Sequence, residues 1–117
     1  MTYIRVQARY TGRTGKPVGI FTACHHLNRK GRLTEEEARL FKSIDRWFDL
    51  FLPNPPFYQG GNKIRGITWF KSSALRMLRE LAPLFLLLTK YDVAFDVVET
   101  DDPGCIVYED EWQVGTV

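Results

Sequence analysis

Three short segments carry the side chains best suited to binding or chemistry, and the first is a glycine-rich turn. Gly12-Arg13-Thr14-Gly15-Lys16 precedes a predicted helix, and backbone amides at a helix N-terminus attract anions. Arg13 and Lys16 would add positive charge there. The Walker pattern fails, because two residues rather than four separate the glycines and Pro17 follows the lysine. The two interpretations are an anion site and a plain basic hairpin-like turn.

The second segment is the long loop from Pro53 to Arg65. It contains three prolines, a glycine pair and two adjacent aromatics, Phe57 and Tyr58, next to the basic residues Lys63 and Arg65. Loops of this length in a compact domain are often functional. The two rings either pack on the helices or face water, and in the second case they form an aromatic patch that could stack bases or anchor a protein.

The third segment is Cys24-His25-His26, which invites a metal or a nucleophile interpretation. Adjacent helical residues point about 100° apart, so both histidines cannot easily bind one ion. A zinc site would need further ligands, and a Cys–His pair needs hydrogen-bond reach that neighbours on a helix seldom have. The alternative is a small core cysteine beside surface imidazoles, and we expect no metal and no cofactor.

Charge is unevenly distributed along the chain. Residues 1–34 contain seven basic residues and no acid, whereas residues 91–117 contain eight acids and no base. Glu109, Asp110 and Glu111 could bind a divalent ion, but opposite charges on neighbouring strands also stabilise a sheet. We therefore expect the first strand to lie antiparallel beside the last, with Arg5 or Arg9 facing Glu109 or Glu111.

The remaining pattern predicts the elements that must position these segments. Alternation predicts a strand from Tyr3 to Tyr10, and a short helix is expected from about Val18 to Asn28. A capping box at Thr34 to Glu37 begins a helix that ends near Leu52. A second major helix is expected from Thr68 or Ser72 to Lys90, with a kink or break at Pro83. Strands are expected at 93–98 and 105–114, forming a hairpin.

These elements predict one α+β domain over residues 1–117. We expect an antiparallel sheet of about three strands, the N-terminal strand plus the C-terminal hairpin, packed against two long helices and one short helix. The 117 residues are 44% apolar and 14% aromatic, with a net charge of +2, which is enough for a core without disulfides or metals. The side chains expected to be mostly buried are Trp47, Phe48, Phe51, Phe70, Leu78 and Phe85.

Location is predicted from what the sequence lacks. The N-terminus shows no charged leader followed by an apolar run, so no secretory signal is expected. The longest apolar stretch, Leu81 to Leu88, is interrupted by Pro83 and is far shorter than the roughly 20 residues that span a bilayer. We expect a cytoplasmic protein with reduced thiols and no membrane contact.

The favoured function is a small intracellular, non-enzymatic binding module that contacts a protein partner, such as an inhibitor, an immunity or antitoxin protein, or an adaptor. The expected binding residues are Arg13, Lys16, Phe57, Tyr58, Lys63 and Arg65. The first alternative is nucleic-acid or nucleotide-phosphate binding through Arg13, Lys16, Arg29, Lys30, Lys63 and Arg65. The second is a small enzyme in which His25 or His26 acts as general base near Tyr58 or Glu37, which requires those groups in one cleft.

Overall fold

A computed structural model describes all of residues 1–117, and its centre is the first strand. Strand β1 (Tyr3–Thr11) pairs antiparallel with β4 (Phe95–Thr100) on one edge, from Tyr3 to Ala8. Its other edge is shared by two strands. β2 (Pro17–Gly19) pairs with β1 at Gln7 and Thr11, and β3 (Ile67–Lys71) pairs with it at Tyr3 and Ile4. The sheet therefore forks along β1.

The remaining strands extend the branch that starts at β3. β6 (Gln113–Thr116) pairs with β3, and β5 (Ile106–Glu109) pairs with β6, all antiparallel. The sheet thus has six strands rather than about three. No helix of the structure is long and apolar enough to cross a membrane.

Three helical units pack on the sheet: α1 (Ile20–Arg29), α2 (Glu35–Phe51) and a broken pair, α3 (Leu75–Glu80) and α4 (Ala82–Lys90). Pro83 lies in the first turn of α4, where its missing N–H is not needed, and the break falls at Leu81. The break that the sequence predicts is confirmed. The predicted start of this unit at Thr68 was wrong, because Ile67–Lys71 is a strand.

Two predicted strand pairings were also wrong. The first and last strands are not neighbours: Arg9 pairs with Asp96 of β4 at 2.9 Å, and Glu109 pairs with Lys71 at 2.6 Å. The predicted C-terminal hairpin does not form, because the stretch 105–114 folds back on itself at Asp110. The Asp110 carboxylate accepts hydrogen bonds from the backbone N–H groups of Trp112 and Gln113, which closes this turn.

The core lies between the sheet and the helices and is built from aliphatic and aromatic side chains of α1, α2, α3 and α4 over Val6 and Ala8. Phe48 is 4% exposed, and four more of the predicted residues, Trp47, Phe70, Leu78 and Phe85, are partly buried against the core. Phe51 is 47% exposed and was predicted wrongly. It ends α2 on the outer side, where its ring lies beside Trp47 and the Arg76 guanidinium.

The predicted capping box at the start of α2 is confirmed, and its Glu37 also contacts residues at the end of α4. The Thr34 hydroxyl accepts from the Glu37 N–H at 3.1 Å, and Glu37 accepts from the Thr34 N–H at 2.8 Å. The same carboxylate accepts from Lys90 at 2.7 Å and from the Tyr91 hydroxyl. The Lys90, Thr34 and Tyr91 hydrogen bonds, in that order, lower the pKa of Glu37 to about 2.

Truncating Phe48 to alanine should cost about 3–5 kcal/mol in the free energy of unfolding, because a buried aromatic leaves a cavity. Phe51→Ala is the matched control on the same helix and should cost less than about 1 kcal/mol, since its ring is half exposed. Urea unfolding measures both values. A Phe48→Ala loss as small as that of Phe51→Ala would contradict this core.

Acid should destabilise the protein partly through Glu37. Its pKa is lowered in the folded state, from an ordinary 4.5 to about 2, so its contribution is complete above pH 4.5 and is lost as the pH falls toward 2. Glu37→Gln should therefore lower stability at pH 7 and flatten the stability–pH curve over that window. Glu35→Gln, an exposed residue of the same helical turn, should leave the slope unchanged. Equal slopes for wild type and Glu37→Gln would refute the assignment.

Candidate functional site

The glycine-rich turn forms a hairpin connection rather than a phosphate loop. The Gly12 N–H donates to the Lys16 carbonyl at 3.0 Å, and the Gly15 N–H donates to the Gly12 carbonyl at 3.1 Å. Gly15 has a φ of 76°, which a side chain rarely adopts. The amides of both glycines are thus used within the turn, and Arg13 is exposed on it.

The long loop is held in place by Phe57. A Cβ added to Gly66 would lie 2.6 Å from the Phe57 ring, and one added to Gly115 would lie 2.4 Å from it. The ring is therefore inserted between two glycines. Asn62 holds the loop a second time, because its side chain bonds both the N–H and the carbonyl of Gly66, at 2.9 and 2.8 Å. These contacts anchor the loop to β3 and β6.

The turn and the loop meet although they are far apart in sequence. The Lys16 ammonium donates to the Arg65 carbonyl at 2.7 Å. Arg65 adopts a φ of 56°, and its own side chain is exposed. The two segments that the sequence singled out therefore form one continuous wall.

Behind this wall lies a cleft of about 880 Å³. It is bounded by the turn, the first residues of α1, one side of α2, the loop from Leu52 to Tyr58, and strand β3. Its apolar lining includes Phe21, Phe48, Leu52, Ile67 and Phe70. Its charged side chains are Arg5, Arg13, Lys16, Arg29, Asp45 and Asp49, so basic groups outnumber acids.

Arg5 lies at the fork of the sheet and is 8% exposed. Its guanidinium donates to the Pro17 carbonyl of β2 at 2.9 Å and to the Thr68 carbonyl of β3 at 3.0 Å. A third hydrogen bond joins Nε to the Gln7 side chain at 3.1 Å. The side chain thus bridges two strands that diverge from β1 and do not pair with each other.

All three acceptors of Arg5 are neutral, and none of the chain's five ion pairs involves it. Burial lowers the pKa of the guanidinium, while Tyr58 acts in the opposite direction. An arginine remains protonated in proteins, so the cleft contains a buried positive charge with no negative partner from the protein.

The N-terminus of α1 lies against the same guanidinium. A Cβ placed on Gly19, the residue that caps α1, would lie 3.5 Å from Arg5 Nη2. No side chain caps this helix, and its first turn has no acid. The first N–H groups of a helix have no partner within it, and the helix dipole is positive there. Two sources of positive potential therefore meet in the cleft.

The side chains of His25 and His26 point in different directions from α1, as expected. His26 lines the cleft, where its Nδ1 is 2.8 Å from the Tyr10 hydroxyl. Burial, followed by Arg29, Lys30 and His25, lowers the pKa of His26, so the ring is neutral at pH 7. His25 lies outside the lining and is 3.6 Å from Asp45. Glu37 is bound to Lys90 and Tyr91 instead of either histidine.

Cys24 is fully buried, and desolvation, with a smaller effect from Asp45, raises the pKa of its thiol to about 12. Such a thiol stays protonated and is a poor nucleophile. Cys105 is exposed, and both cysteines are free. No cluster of three or more His, Cys, Asp or Glu side chains is placed to hold a metal ion.

Five of the six residues predicted for binding line one of two hollows. Arg13, Lys16 and Tyr58 line the cleft, and Tyr58 is 38% exposed. Phe57 and Lys63 line a smaller hollow of about 250 Å³. Arg65 contributes its carbonyl to the contact with Lys16. The sequence analysis missed Arg5 as a cleft residue. Its two carbonyl acceptors lie 12 and 63 residues away in sequence, and the local alternation predicts that it lies on the solvent-exposed face of the strand.

No family model, no curated protein and no solved structure matches this chain. The function is therefore argued from the geometry of the cleft.

Replacing Arg5 by lysine should destabilise the protein by about 2 kcal/mol or more, because a point charge cannot serve three acceptors in a plane and leaves buried carbonyls unpaired. Arg9→Lys, on the same strand, is the matched control: its ion pair with Asp96 is exposed, and exposed pairs contribute about 0–1 kcal/mol. Denaturant unfolding compares the two. Equal losses would show that Arg5 does not hold the fork together.

Proposed function

We propose that the chain is a small binding module that takes up part of a protein partner in the cleft between the turn 12–17 and the loop 53–66. The main support is that these two segments are joined by the Lys16–Arg65 hydrogen bond of 2.7 Å and border a cleft of about 880 Å³. Binding sites of proteins are concave, mostly apolar and largely preformed, with a few placed polar groups.

The construction of the walls supports binding with little loss of entropy. Phe57 and Asn62 hold the loop to the sheet before any ligand arrives. A preformed wall lowers the cost of ordering on association. Tyr58 then offers a rigid ring at the cleft, with its hydroxyl 3.4 Å from Thr68 Oγ1, and tyrosine is among the residues that most often dominate interface energies.

Nucleic-acid binding is the second candidate, supported by Arg13, Lys16 and Arg29 in the cleft lining. The other basic residues expected for it are dispersed, since Lys63 lines the separate hollow and Lys30 and Arg65 line neither cavity. A phosphate backbone is bound by a continuous basic track, so this arrangement favours a protein partner. Inhibitor, immunity, antitoxin and adaptor roles all remain compatible with this proposal.

The enzyme interpretation has less support. His26 and Tyr58 share the cleft, but the Nδ1 of His26 is taken by Tyr10, and burial raises the pKa of that phenol. A nucleophile is activated by a lowered pKa or a free base beside it, and this pair shows the opposite tendency.

Tyr58→Ala should weaken binding of the partner at least tenfold, because a central aromatic contact is lost. The partner is captured from an extract of the native host with the wild-type chain, purified, and titrated by calorimetry. Phe51→Ala removes an exposed ring outside the cleft (47% against 38% for Tyr58); it is the control and should bind like wild type. Unchanged affinity for Tyr58→Ala would place the binding surface elsewhere.

Charge reversal at Arg13 separates the protein and nucleic-acid candidates. For a protein partner, Arg13→Glu should change affinity modestly and mainly through the association rate. For a nucleic acid, the affinity of the wild type should fall steeply with salt, and Arg13→Glu should reduce that slope by about one unit. Titrations over a range of salt concentrations measure both quantities.

A further inference from the structure

We infer that the floor of the cleft is a carboxylate site, and that its occupant is the carboxyl terminus of a partner chain. This inference rests on the proposed function and names the group that the partner would insert. It starts from a positive charge that the protein buries and does not neutralise.

Arg5 retains hydrogen-bonding capacity beyond its contacts with the protein. A guanidinium has five N–H groups, and three of them donate to Gln7, Thr68 and Pro17. One N–H on each terminal nitrogen is left over. Hydrogen bonds between a guanidinium and a carboxylate are charge-assisted and strong, so these two N–H groups are suited to an anion in the cleft.

The helix start supplies an independent set of donors at the same place. Gly19, Ile20, Phe21 and Thr22 all line the cleft, and no side chain satisfies the N-terminus of α1. The guanidinium of Arg5, a residue that is 8% exposed, lies against Gly19. An oxyanion in the cleft that reaches both groups would meet a formal positive charge and the positive end of a helix of 10 residues.

The surroundings favour a single carboxylate over a phosphate. Lys16 is engaged by the Arg65 carbonyl, and Asp45 and Asp49 add negative charge to the lining. A phosphate dianion would be repelled by these acids more than a monoanion would. Arg5 is only 8% exposed, so the end of a peptide chain is better suited to reach it than the wide backbone of a nucleic-acid duplex.

The apolar walls explain why the anion would belong to a peptide. Phe21, Phe48 and Phe70 line the cleft together with Tyr58. The last side chains of a partner would contact these rings while the terminal carboxylate reaches Arg5. Capture of a C-terminal carboxylate by backbone N–H groups is a known mode of peptide recognition.

The test uses the full chain labelled with ¹⁵N and a pool of N-acetylated pentapeptides whose last two residues are apolar. One pool carries free carboxyl termini and the other carries carboxamides. The free-acid pool should shift the amide signals of Ile20 to Thr22 and the Arg5 Nε–H signal, and should bind at least tenfold more tightly than the carboxamide pool. Equal binding of the two pools, or binding of neither, overturns the inference.

Two variants at Gly19 test whether the carboxylate binds beside Arg5. Gly19→Asp builds a carboxylate beside Arg5 and should reduce free-acid binding at least tenfold more than Gly19→Asn, which has the same shape without the charge. Similar effects of the two variants contradict the inference. Inorganic phosphate is the third probe: if it moves the same signals while the free-acid pool does not, the site binds phosphate and the inference fails.

The proposed function and this inference can fail separately. If Tyr58→Ala abolishes binding of the captured partner while the free-acid pool is inert, the binding module stands and the carboxylate site is overturned. If the free-acid pool binds as expected while Tyr58→Ala keeps full partner affinity, the carboxylate site stands and the proposed surface is wrong.

Discussion

The fork of the sheet at Arg5 is the constraint on which the rest of the structure depends. One edge of β1 is shared by β2 and β3. β2 pairs with the C-terminal part of β1, β3 pairs with its N-terminal end, and the two strands do not pair with each other. Where strands diverge, carbonyl groups lose their ladder partners, and buried unpaired carbonyls cost about 1–3 kcal/mol each. Arg5 supplies N–H groups to one carbonyl on each branch. The cleft opens where the Arg5 side chain, instead of a backbone pairing, joins β2 to β3.

The long loop beside the cleft is fixed because two glycines leave space for a large aromatic ring. Gly66 and Gly115 leave the space that the Phe57 ring fills. Asn62 closes the loop on Gly66, and Lys16 joins it to the hairpin turn. The connection from Pro53 to Gly66 is thereby attached to the rest of the fold through Phe57, Asn62 and the Arg65 carbonyl, and Tyr58 lies next to the first of these contacts. The same contacts place the start of α1, Arg5 and the apolar rings around one volume.

Local signals predicted local structure well. The strand predicted from Tyr3 to Tyr10, the capping box at Thr34 and the break near Pro83 were all confirmed, although Arg5 of that strand is buried and Tyr10 is exposed. These features depend on neighbours in sequence, so periodicity and capping reveal them. Gly12 to Lys16 and the loop 53–65, which the sequence analysis selected for their glycine, proline and basic residues, are joined by the Lys16–Arg65 hydrogen bond.

What failed depends on contacts between distant residues. Ile67 to Lys71 lies directly before a helix and shares its apolar periodicity, so the strand was merged with it. Its β-branched and aromatic residues become a strand only by pairing with β1 and β6. The pairing of β1 with β4 rather than the last strand, and the burial of Arg5, likewise follow from partners many residues away. No local pattern encodes them.

The central claim is that Arg5 is a buried positive charge that lacks a counter-charge in the free protein. The most direct measurement compares the free energies of unfolding of Gly19→Asp and Gly19→Asn without any ligand. Gly19 has a φ of −73°, which either residue can adopt, and Asp and Asn are about equally good helix caps. The account predicts that the aspartate variant is more stable at pH 7 by more than the roughly 1 kcal/mol that a helix dipole alone supplies. It also predicts that this advantage shrinks as the pH falls below about 4, the ordinary pKa of an unfolded aspartate, and is lost once the pH passes the lower pKa of the folded state. An aspartate variant that is no more stable than the asparagine variant at pH 7 would contradict the account.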